Sequence, residues 1–345
     1  MKAVVKIAPG PGNIEVQDVP VPTIGPDEVL VAIRGTGICG TDVLLYNWTY
    51  RGRSPVYPPI ILGHEGAGEV VQVGGQVKGI QVGDRVALEA LIGCGKCYFC
   101  RRGLTYLCPN WSHLGISFGG TFAEYTAIKA SAVRPIPDDV SWEDVAFLEI
   151  LAVVAHTLER IKVMPGDTVV IVGPGPLGLF HLQAVQAAGA SQTIVIGTAG
   201  DERRLEVARS LGATHVLDGS RVDAVAAVRG WTSGVGADIV IEAGGTAEAV
   251  NQSLRMTRGA GQVALLGFTK QAEFAPLDAV RSCLNIQCVL GGVGRHFEQA
   301  LRWIQSGQVL GSRLITHRMP LDMAEEGFRA AMNRLAVKVF FEASA

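Results

Sequence analysis

Two patterns of hydrophobic and polar positions follow one another along the chain. Up to about residue 150, short runs rich in β-branched residues are separated by turns such as Ile24-Gly25-Pro26-Asp27. This pattern predicts an irregular, strand-rich domain. The runs that we assign to strands are Val4–Ile7, Val29–Ile33, Gly68–Val73 and Arg85–Leu88.

From about Thr168, apolar strand-like runs alternate with helix-like amphipathic segments, which predicts a doubly wound parallel sheet of the α/β class. The predicted strands are Thr168–Val172, Thr193–Gly197, His215–Leu217, Asp238–Glu242, Gln262–Leu266 and Asn285–Leu290. The helical segments between them include Leu177–Ala188, Glu202–Leu211 and Ala247–Arg258. After Gly294, the pattern predicts helices at His296–Gln305 and Met323–Asn333 and a closing strand at Val337–Phe341.

Length and composition narrow the class of protein. A chain of 345 residues predicts about two domains, and 48% hydrophobic against 18% charged residues excludes a disordered chain. The net charge of −2 argues against a general binder of nucleic acid or of anionic membranes. Because no apolar run reaches the roughly 18 residues of a membrane span and the N-terminus lacks a secretory segment, we expect a soluble, cytoplasmic protein.

Four of the seven cysteines are clustered, in Cys94-Gly-Lys-Cys97-Tyr-Phe-Cys100 and at Cys108. Outside an oxidising compartment, such spacing indicates a metal site rather than disulfides. Four thiolates complete a tetrahedron around zinc and leave no position for water, so we predict a structural zinc. An iron–sulfur cluster is an alternative, but the ferredoxin run has a shorter final spacer. Four buried cysteines that bind no metal are a second alternative.

A second metal site is predicted where Cys39 and Gly63-His64-Glu65 each follow an apolar run. Thiolate, imidazole and carboxylate with one position left for water is the chemistry of a catalytic zinc. Taken singly, Cys39 also fits a core thiol, and His64 a hydrogen-bonded core histidine.

A glycine-rich turn, Gly173-Pro174-Gly175-Pro176-Leu177-Gly178, lies between the strand Thr168–Val172 and a helical segment. Glycines at this position let backbone N–H groups approach a pyrophosphate at the helix N-terminus. A turn without a ligand is the alternative. The strand–turn–helix context favours dinucleotide binding.

The order of these motifs resembles that of the zinc-dependent medium-chain dehydrogenases, over essentially all of the chain. The Gly63-His64-Glu65 stretch matches the family's zinc motif, with Gly68, Gly74 and Val77 in place. Within the family, the chain looks most like the polyol (sorbitol) and L-threonine dehydrogenases. The segments that resemble the threonine enzyme are Cys39–Val43, Tyr46–Trp48 and Ile315–Arg318, whereas Phe147–Glu149 resembles the polyol branch.

This resemblance implies the domains, cofactors and partners of the protein. A GroES-like catalytic domain would comprise residues 1–150 and 293–345, with a zinc lobe at about 89–110, and a Rossmann domain would comprise residues 151–292. The family implies two zinc ions per chain, NAD or NADP, a small alcohol substrate and a homodimer or homotetramer. The region Gln262–Leu290 is a candidate interface.

The resemblance also implies roles for individual residues. Cys39 and His64 would bind the catalytic zinc. Related alcohol dehydrogenases have a cysteine near position 149, where this chain has Glu149, so the third ligand is expected to be Glu65 or Glu149. The apolar neighbours of Glu149 predict that it is buried, where a carboxylate needs a cation. Thr41 would begin a proton relay. Candidate residues of the substrate pocket are Tyr46, Phe118 and Arg295.

Cofactor contacts are expected from Gly173, Gly175, Pro176, Leu177, Gly178 and Gly267. Ala199 stands where the resemblance places the acid that binds the adenosine ribose of NAD. Without that acid, nothing repels a 2′-phosphate, and Arg203 or Arg204 can pair with one. Alternatively, Asp201 or Glu202 binds the ribose and both arginines are solvated. We predict that NADP is used at least as well as NAD.

The sequence therefore predicts a dehydrogenase that converts a secondary alcohol of a polyol or sugar alcohol into a ketone. L-Threonine and other secondary alcohols are alternative substrates, and Glu149 favours polyols. A non-catalytic nucleotide-binding protein would lack a ligand, yet Cys39, His64, Glu65 and Thr41 are all present. A zinc-ribbon binder of nucleic acid, suggested by the basic residues Lys96, Arg101 and Arg102, is disfavoured by the net charge.

Overall fold

The computed structural model describes residues 1–343 of the chain. It divides into two compact units, the first comprising Met1–Ala152 and the segment from Gly291 onward, the second Val153–Leu290. The sequence placed the boundaries two residues away in each case. The first boundary falls inside a continuous helix, Leu148–Arg160, so no turn or break in the sequence marks it.

In sequence, the strands of the first unit come from the two terminal parts of the chain, and those of the second unit come from its middle part. They are β1 Lys2–Lys6, β2 Ile14–Asp18, β3 Glu28–Gly37, β4 Ile60–Ile61, β5 Glu65–Val73, β6 Arg85–Leu88, β7 Leu91–Ile92, β8 Ser112–His113, β9 Tyr125–Lys129, β10 Val133–Pro135, β11 Thr168–Val172, β12 Gln192–Gly197, β13 His215–Asp218, β14 Ala237–Glu242, β15 Thr257–Leu265, β16 Asn285–Cys288, β17 Ile315–Pro320 and β18 Lys338–Glu342.

The α-helices alternate with strands in the second unit and are dispersed in the first. They are α1 Gly40–Tyr46, α2 Trp142–Val145, α3 Leu148–Arg160, α4 Pro176–Ala187, α5 Glu202–Ser210, α6 Ala224–Trp231, α7 Ala247–Met256, α8 Pro276–Arg281, α9 Gly294–Gln305 and α10 Ala324–Met332. Among the residues that the structure describes, every helix is too short or too polar to cross a bilayer.

The main sheet of the first unit has seven strands, in the order β10-β6-β5-β3-β18-β17, with β9 also paired to β3. The closing strand β18 pairs antiparallel with β3, which places residues 340–342 beside residues 35–37. Alternating apolar residues fill the core beneath these strands, among them Ile33, Leu62, Phe122, Phe328 and Phe341. This arrangement confirms the predicted strand-rich catalytic domain, although α1, α2 and α3 were not predicted.

The second unit contains a six-stranded parallel sheet, in the order β13-β12-β11-β14-β15-β16. This confirms the doubly wound parallel sheet predicted from the sequence, and the strand order reverses between β11 and β14. Helix α6 was missed, although Asp223 caps it by accepting a hydrogen bond from the N–H of Ala226 at 3.0 Å. Strand β15 begins at Thr257 rather than Gln262, because Thr257 already pairs with Ala237. The pairing is irregular between Thr257 and Gln262, where Ala260 has a φ of +56°.

Candidate metal centre and dinucleotide site

The pairing of β3 with β5 brings the first candidate ligands together. Their antiparallel register sets Gly37 opposite Glu65. Cys39 lies two residues beyond β3, as the N-cap residue of α1, and His64 immediately precedes β5. Residues about 25 positions apart in sequence thus meet at one end of the sheet.

Cys39, His64 and Glu65 form a compact group of potential metal ligands, whose ligand atoms all lie within 4.8 Å of one another. Cys39 is half-buried, whereas His64 is 3% and Glu65 0% exposed. Oε1 of Glu65 is a buried acceptor without a hydrogen-bond partner among the described residues. A buried carboxylate oxygen in this state calls for a cation, and the sulfur, nitrogen and oxygen donors are those that zinc prefers. The group therefore fits a zinc ion.

Asp42 holds this group in position from the first turn of α1. Its Oδ2 accepts a hydrogen bond from the backbone N–H of Cys39 at 2.9 Å, and its Oδ1 lies 3.3 Å from Nδ1 of His64. The second distance suits an ion pair but exceeds hydrogen-bond geometry. A carboxylate on one ring nitrogen of a histidine leaves the other for a metal. Asp42 was not among the predicted site residues.

The protonation of the centre follows from burial and from these charges. Burial lowers the pKa of His64, but the interactions of its ring with the Asp42 carboxylate and the Cys39 sulfur outweigh it and hold that pKa well above its usual value. Burial raises the pKa of the Cys39 thiol. Binding of a metal ion would replace both protons, as it does at thiolate and imidazole ligands generally.

Lys338 is a partner of Glu65 that the sequence did not reveal. Its Nζ lies 2.5 Å from Oε2 of Glu65 and donates a hydrogen bond to the carbonyl of Ile38 at 2.9 Å. The first contact is an ion pair between two buried side chains. A lysine within the apolar strand β18 is the signal that could have found it, because such a charge requires a buried partner.

Glu149, the other candidate for the third ligand, lies outside the 4.8 Å group. It occupies the first turn of α3 and is half-buried rather than fully buried as expected. Burial nevertheless raises the pKa of its carboxyl group to about 7, against the opposing charge of His64. The geometry thus favours Glu65 as the ligand and leaves Glu149 as a neighbouring carboxyl group.

The remaining predicted residues of this centre lie in different surroundings. Thr41 is half-buried in the first turn of α1, beside Asp42. The hydroxyl of Tyr46 donates to Glu325 at 2.7 Å, and its ring stacks on Phe328 with centroids 5.0 Å apart, so Tyr46 joins α1 to α10. These contacts lend no support to a substrate role for Tyr46.

Phe118 and Arg295 differ in exposure. Phe118 is half-buried and follows His113 in the same turn, where its carbonyl accepts from the N–H of Gly115 at 3.0 Å. Arg295 is exposed at the start of α9, near Gly103 of the cysteine segment. Their substrate contacts stay predictions.

The four clustered cysteines also converge, with all four sulfurs within 4.8 Å of one another. The sulfurs of Cys97 and Cys108 are 3.7 Å apart. Sulfurs about 2.3 Å from a single zinc ion are about 3.7 Å apart in a tetrahedron, whereas a cluster of several irons would separate them further. Backbone N–H groups of Lys96 and Cys97 lower the pKa of the Cys94 thiol to about 6, which favours the thiolate that zinc binds.

The glycine turn of the second unit has the geometry of a dinucleotide loop. Gly173 has a φ of +101°, and a Cβ there would lie 2.7 Å from the backbone nitrogen of Gly244. A Cβ on Gly178 would lie 2.0 Å from the carbonyl oxygen of Gly173, so α4 packs directly against the turn. Gly175, the N-cap residue of α4, faces open space, and Pro176 opens the helix. The N–H groups of this helix end are therefore accessible to an anion.

Glu242, at the end of β14, was not predicted to belong to this site. It is fully buried, and its Oε1 accepts hydrogen bonds from the N–H groups of Gly244 at 2.8 Å and Gly245 at 2.6 Å. Its Oε2 accepts from Gly267 at 3.2 Å, which fixes the predicted cofactor residue Gly267 in this turn. A carboxylate that ends an apolar strand before two glycines is the sequence signal for it.

The end of β12 carries the residues expected to choose between NAD and NADP. Ala199 is exposed. Asp201 is 4% exposed, accepts from the N–H of Thr198 at 3.1 Å and lies 3.3 Å from Nη1 of Arg204. Arg203 is exposed at the start of α5. Asp201 therefore stabilises the loop between β12 and α5 through these contacts.

A thiolate–imidazole–carboxylate group in a GroES-like unit, a second set of four thiolates and a Rossmann unit together define a zinc-dependent dehydrogenase. Comparison with known proteins agrees. Residues 25–138 match the family model of the alcohol dehydrogenase GroES-like domain, and residues 176–306 match that of zinc-binding dehydrogenases. The chain belongs to this family of zinc-binding alcohol dehydrogenases.

Similar proteins include both branches that the sequence suggested. A sorbitol dehydrogenase of Halalkalibacterium halodurans is 33% identical, with 98% of each chain covered. An L-threonine 3-dehydrogenase of Pyrococcus abyssi is 37% identical over 99% of this chain and 98% of the relative. A crystal structure from Sinorhizobium meliloti, described as a zinc-binding dehydrogenase bound to NADP, is 34% identical, with a TM-score of 0.90 over 99% of this chain and 98% of that chain.

Proposed function

We propose that the protein oxidises a secondary alcohol of a polyol or sugar alcohol to a ketone, reversibly, with a nicotinamide dinucleotide as hydride acceptor. The observation that carries this proposal is that the side chains of Cys39, His64 and Glu65 converge. In this group, Oε1 of Glu65 is buried without a hydrogen-bond partner among the described residues. When bound, zinc polarises the alcohol oxygen and lowers its proton affinity, and the nicotinamide accepts the hydride.

The residues around the centre have separate tasks in this reaction. Asp42 positions His64 through Nδ1, and Lys338 pairs with the Glu65 carboxylate. The hydroxyl of Thr41, half-buried two residues from Cys39, accepts the proton that the substrate alcohol releases and gives its own proton to solvent water. The alcohol thus loses one proton and one hydride and becomes a ketone.

The choice of polyols over L-threonine rests on Glu149, which corresponds to the glutamate of the polyol branch. Relatives from both branches are about equally similar, so overall identity does not separate the two substrates. The test measures kcat/KM for a series of polyols, for L-threonine and for simple secondary alcohols, each with NAD and NADP. A value for L-threonine above that for every polyol would reverse the choice.

We further propose that NADP is used at least as well as NAD. Ala199 offers no carboxylate to repel a 2′-phosphate, Asp201 is engaged with Thr198 and Arg204, and Arg203 is exposed nearby. The similar protein from Sinorhizobium meliloti was crystallised with NADP.

Replacing Ala199 with Asp tests this cofactor preference. We expect Ala199→Asp to reduce kcat/KM for NADP about tenfold or more, equivalent to about 1.4 kcal/mol, and to leave that for NAD within a few-fold. Arg203→Ala, in contrast, would weaken NADP alone without adding repulsion. A wild-type preference for NAD above about tenfold would show that a nearby acid binds the ribose.

We also propose that each chain binds two zinc ions and that the protein is located in the cytoplasm.

We propose, in addition, that the protein associates with itself. Strand β16 is an edge of the six-stranded sheet, and Leu277 and Val280 of the adjoining α8 are 54% and 70% exposed. An unpaired strand edge next to apolar side chains invites pairing with another strand. A second copy of the chain fits, because two identical edges related by a twofold axis pair antiparallel.

A further inference from the structure

His113 lies against the candidate metal centre without belonging to its ligand group. It ends β8 and is 8% exposed. Its ring meets that of His64 edge-on, with centroids 5.0 Å apart, and meets that of Trp111 in the same manner at 5.4 Å. Nothing in the reaction described above uses this histidine.

One hydrogen bond determines which nitrogen of His113 carries the proton. Nδ1 lies 2.6 Å from the backbone carbonyl oxygen of Leu114. A carbonyl oxygen can only accept, so Nδ1 is the donor. A charged ring is costly at this depth, and the neutral ring therefore presents an unprotonated acceptor at Nε2.

Nε2 of His113 is available to a ligand. Within the described residues, this nitrogen makes no hydrogen bond. It also retains access to solvent, unlike the buried polar atoms that lack a partner. The ring therefore supplies an accessible acceptor beside a metal ligand.

We propose that His113 is a substrate-binding residue whose Nε2 accepts a hydrogen bond from a second donor group next to the reacting alcohol. The inference rests on the proposed oxidation of a secondary alcohol at the centre formed by Cys39, His64 and Glu65. It restricts the substrate class to vicinal diols and 1,2-amino alcohols. A simple alcohol would leave the desolvated Nε2 unpaired, and sites built to bind a polar group reject analogues that lack it.

The donor can be a hydroxyl or an ammonium group, and matched substrates distinguish them. Butane-2,3-diol, 3-aminobutan-2-ol and butan-2-ol share one carbon skeleton and differ only at the neighbouring carbon. We expect the wild-type protein to prefer at least one of the first two over butan-2-ol by about tenfold or more in kcat/KM. Equal values for all three would overturn the proposal.

Two variants separate the Nε2 acceptor from the structural bond at Nδ1. The amide nitrogen of His113→Asn can replace Nδ1 toward Leu114 but leaves nothing at Nε2, whereas the amide of His113→Gln reaches the position of Nε2. We expect His113→Asn to lose about tenfold on the preferred substrate, chiefly in KM, and to keep butan-2-ol within about threefold. His113→Gln should restore part of the loss. A uniform loss on all substrates would indicate a purely structural role and contradict the proposal.

Binding without turnover provides a second readout. Trp111 lies beside His113, so its fluorescence should report occupancy, and Trp111→Phe identifies its contribution. We expect His113→Asn to weaken binding of the preferred ligand and not of butan-2-ol. If the wild-type protein oxidises none of the three alcohols, the proposed function fails. In that case, the fluorescence titration still decides whether His113 binds the second donor, and unchanged binding in His113→Asn overturns the inference.

Discussion

Lys338 and Glu65 are oppositely charged residues that are both removed from solvent, at 1% and 0% exposure. Burying two such charges destabilises the folded state, and their mutual attraction offsets this only while they remain paired. A metal ion at Cys39, His64 and Glu65 adds a second cation to the same carboxylate. The stability of this region should therefore depend jointly on the lysine and on the metal.

Lys338→Met tests that dependence. In metal-free protein, the change removes the lysine partner of the buried Glu65 carboxylate, and we expect the free energy of unfolding to fall by roughly 3–5 kcal/mol. Zinc should recover part of the loss. Urea unfolding with a chelator and with zinc measures both effects. Lys129→Met is the matched control, because Lys129 pairs with Asp27 at the exposed surface and its loss should hardly matter. Equal losses in the two variants would contradict this account.

The two sets of metal ligands should be separable by single substitutions. We expect Cys39→Ser to retain about one zinc ion per chain and the fold but to lose activity, because four thiolates bind the other ion independently. Cys97→Ser should instead lower the melting temperature, since metal binding at a closed site is coupled to folding. Elemental analysis and thermal unfolding measure these outcomes, with the exposed Cys283→Ser as control. Loss of both ions from Cys39→Ser would refute the division.

At the scale of elements, the turn between β11 and α4 shows two different uses of glycine. Gly178 lets the helix touch the turn, since a Cβ there would lie 2.0 Å from the carbonyl oxygen of Gly173. A Cβ on Gly175 would meet no atom within 4 Å beyond its chain neighbours, and the residue has a φ of −67°, which alanine adopts readily. The first glycine is required by packing. The second leaves space for a ligand.

Alanine substitutions distinguish these two uses. We expect Gly178→Ala to lower the free energy of unfolding by about 1–3 kcal/mol through overpacking. Gly175→Ala should keep normal stability but weaken dinucleotide binding about tenfold or more, because its methyl group occupies the approach of the pyrophosphate. Urea unfolding and titration of the reduced dinucleotide by fluorescence measure the two quantities. Unchanged dinucleotide affinity in Gly175→Ala would remove this loop from the binding site.

At the scale of the whole molecule, self-association is expected through β16 and α8. Val280→Asp places a charge on the exposed apolar face of α8, and we expect it to shift the protein toward monomer in light scattering at matched concentrations. Val82→Asp is the control, because Val82 is an apolar residue of the first unit with similar exposure, 62% against 70%. A wild-type protein that is monomeric at micromolar concentration would contradict the proposal.

The sequence by itself determined the elements and motifs whose signals are local. The strand Arg85–Leu88, the strand Thr168–Val172 and the glycine loop after it lie where the apolar pattern and the turn residues placed them. The spacing of the clustered cysteines was likewise sufficient to predict that they converge. Such features depend on a few consecutive residues, so physical rules of short range reveal them.

Only the tertiary structure decided which distant residues meet. The register of β3 with β5 brings Glu65 to Cys39 and His64, and the pairing of β18 with β3 brings Lys338 to that carboxylate across some 270 positions of sequence. Likewise, β8 sets His113 against His64. Strand pairing and burial create these contacts, and both depend on the packing of the whole unit. No local pattern of hydrophobic and polar residues therefore encodes them.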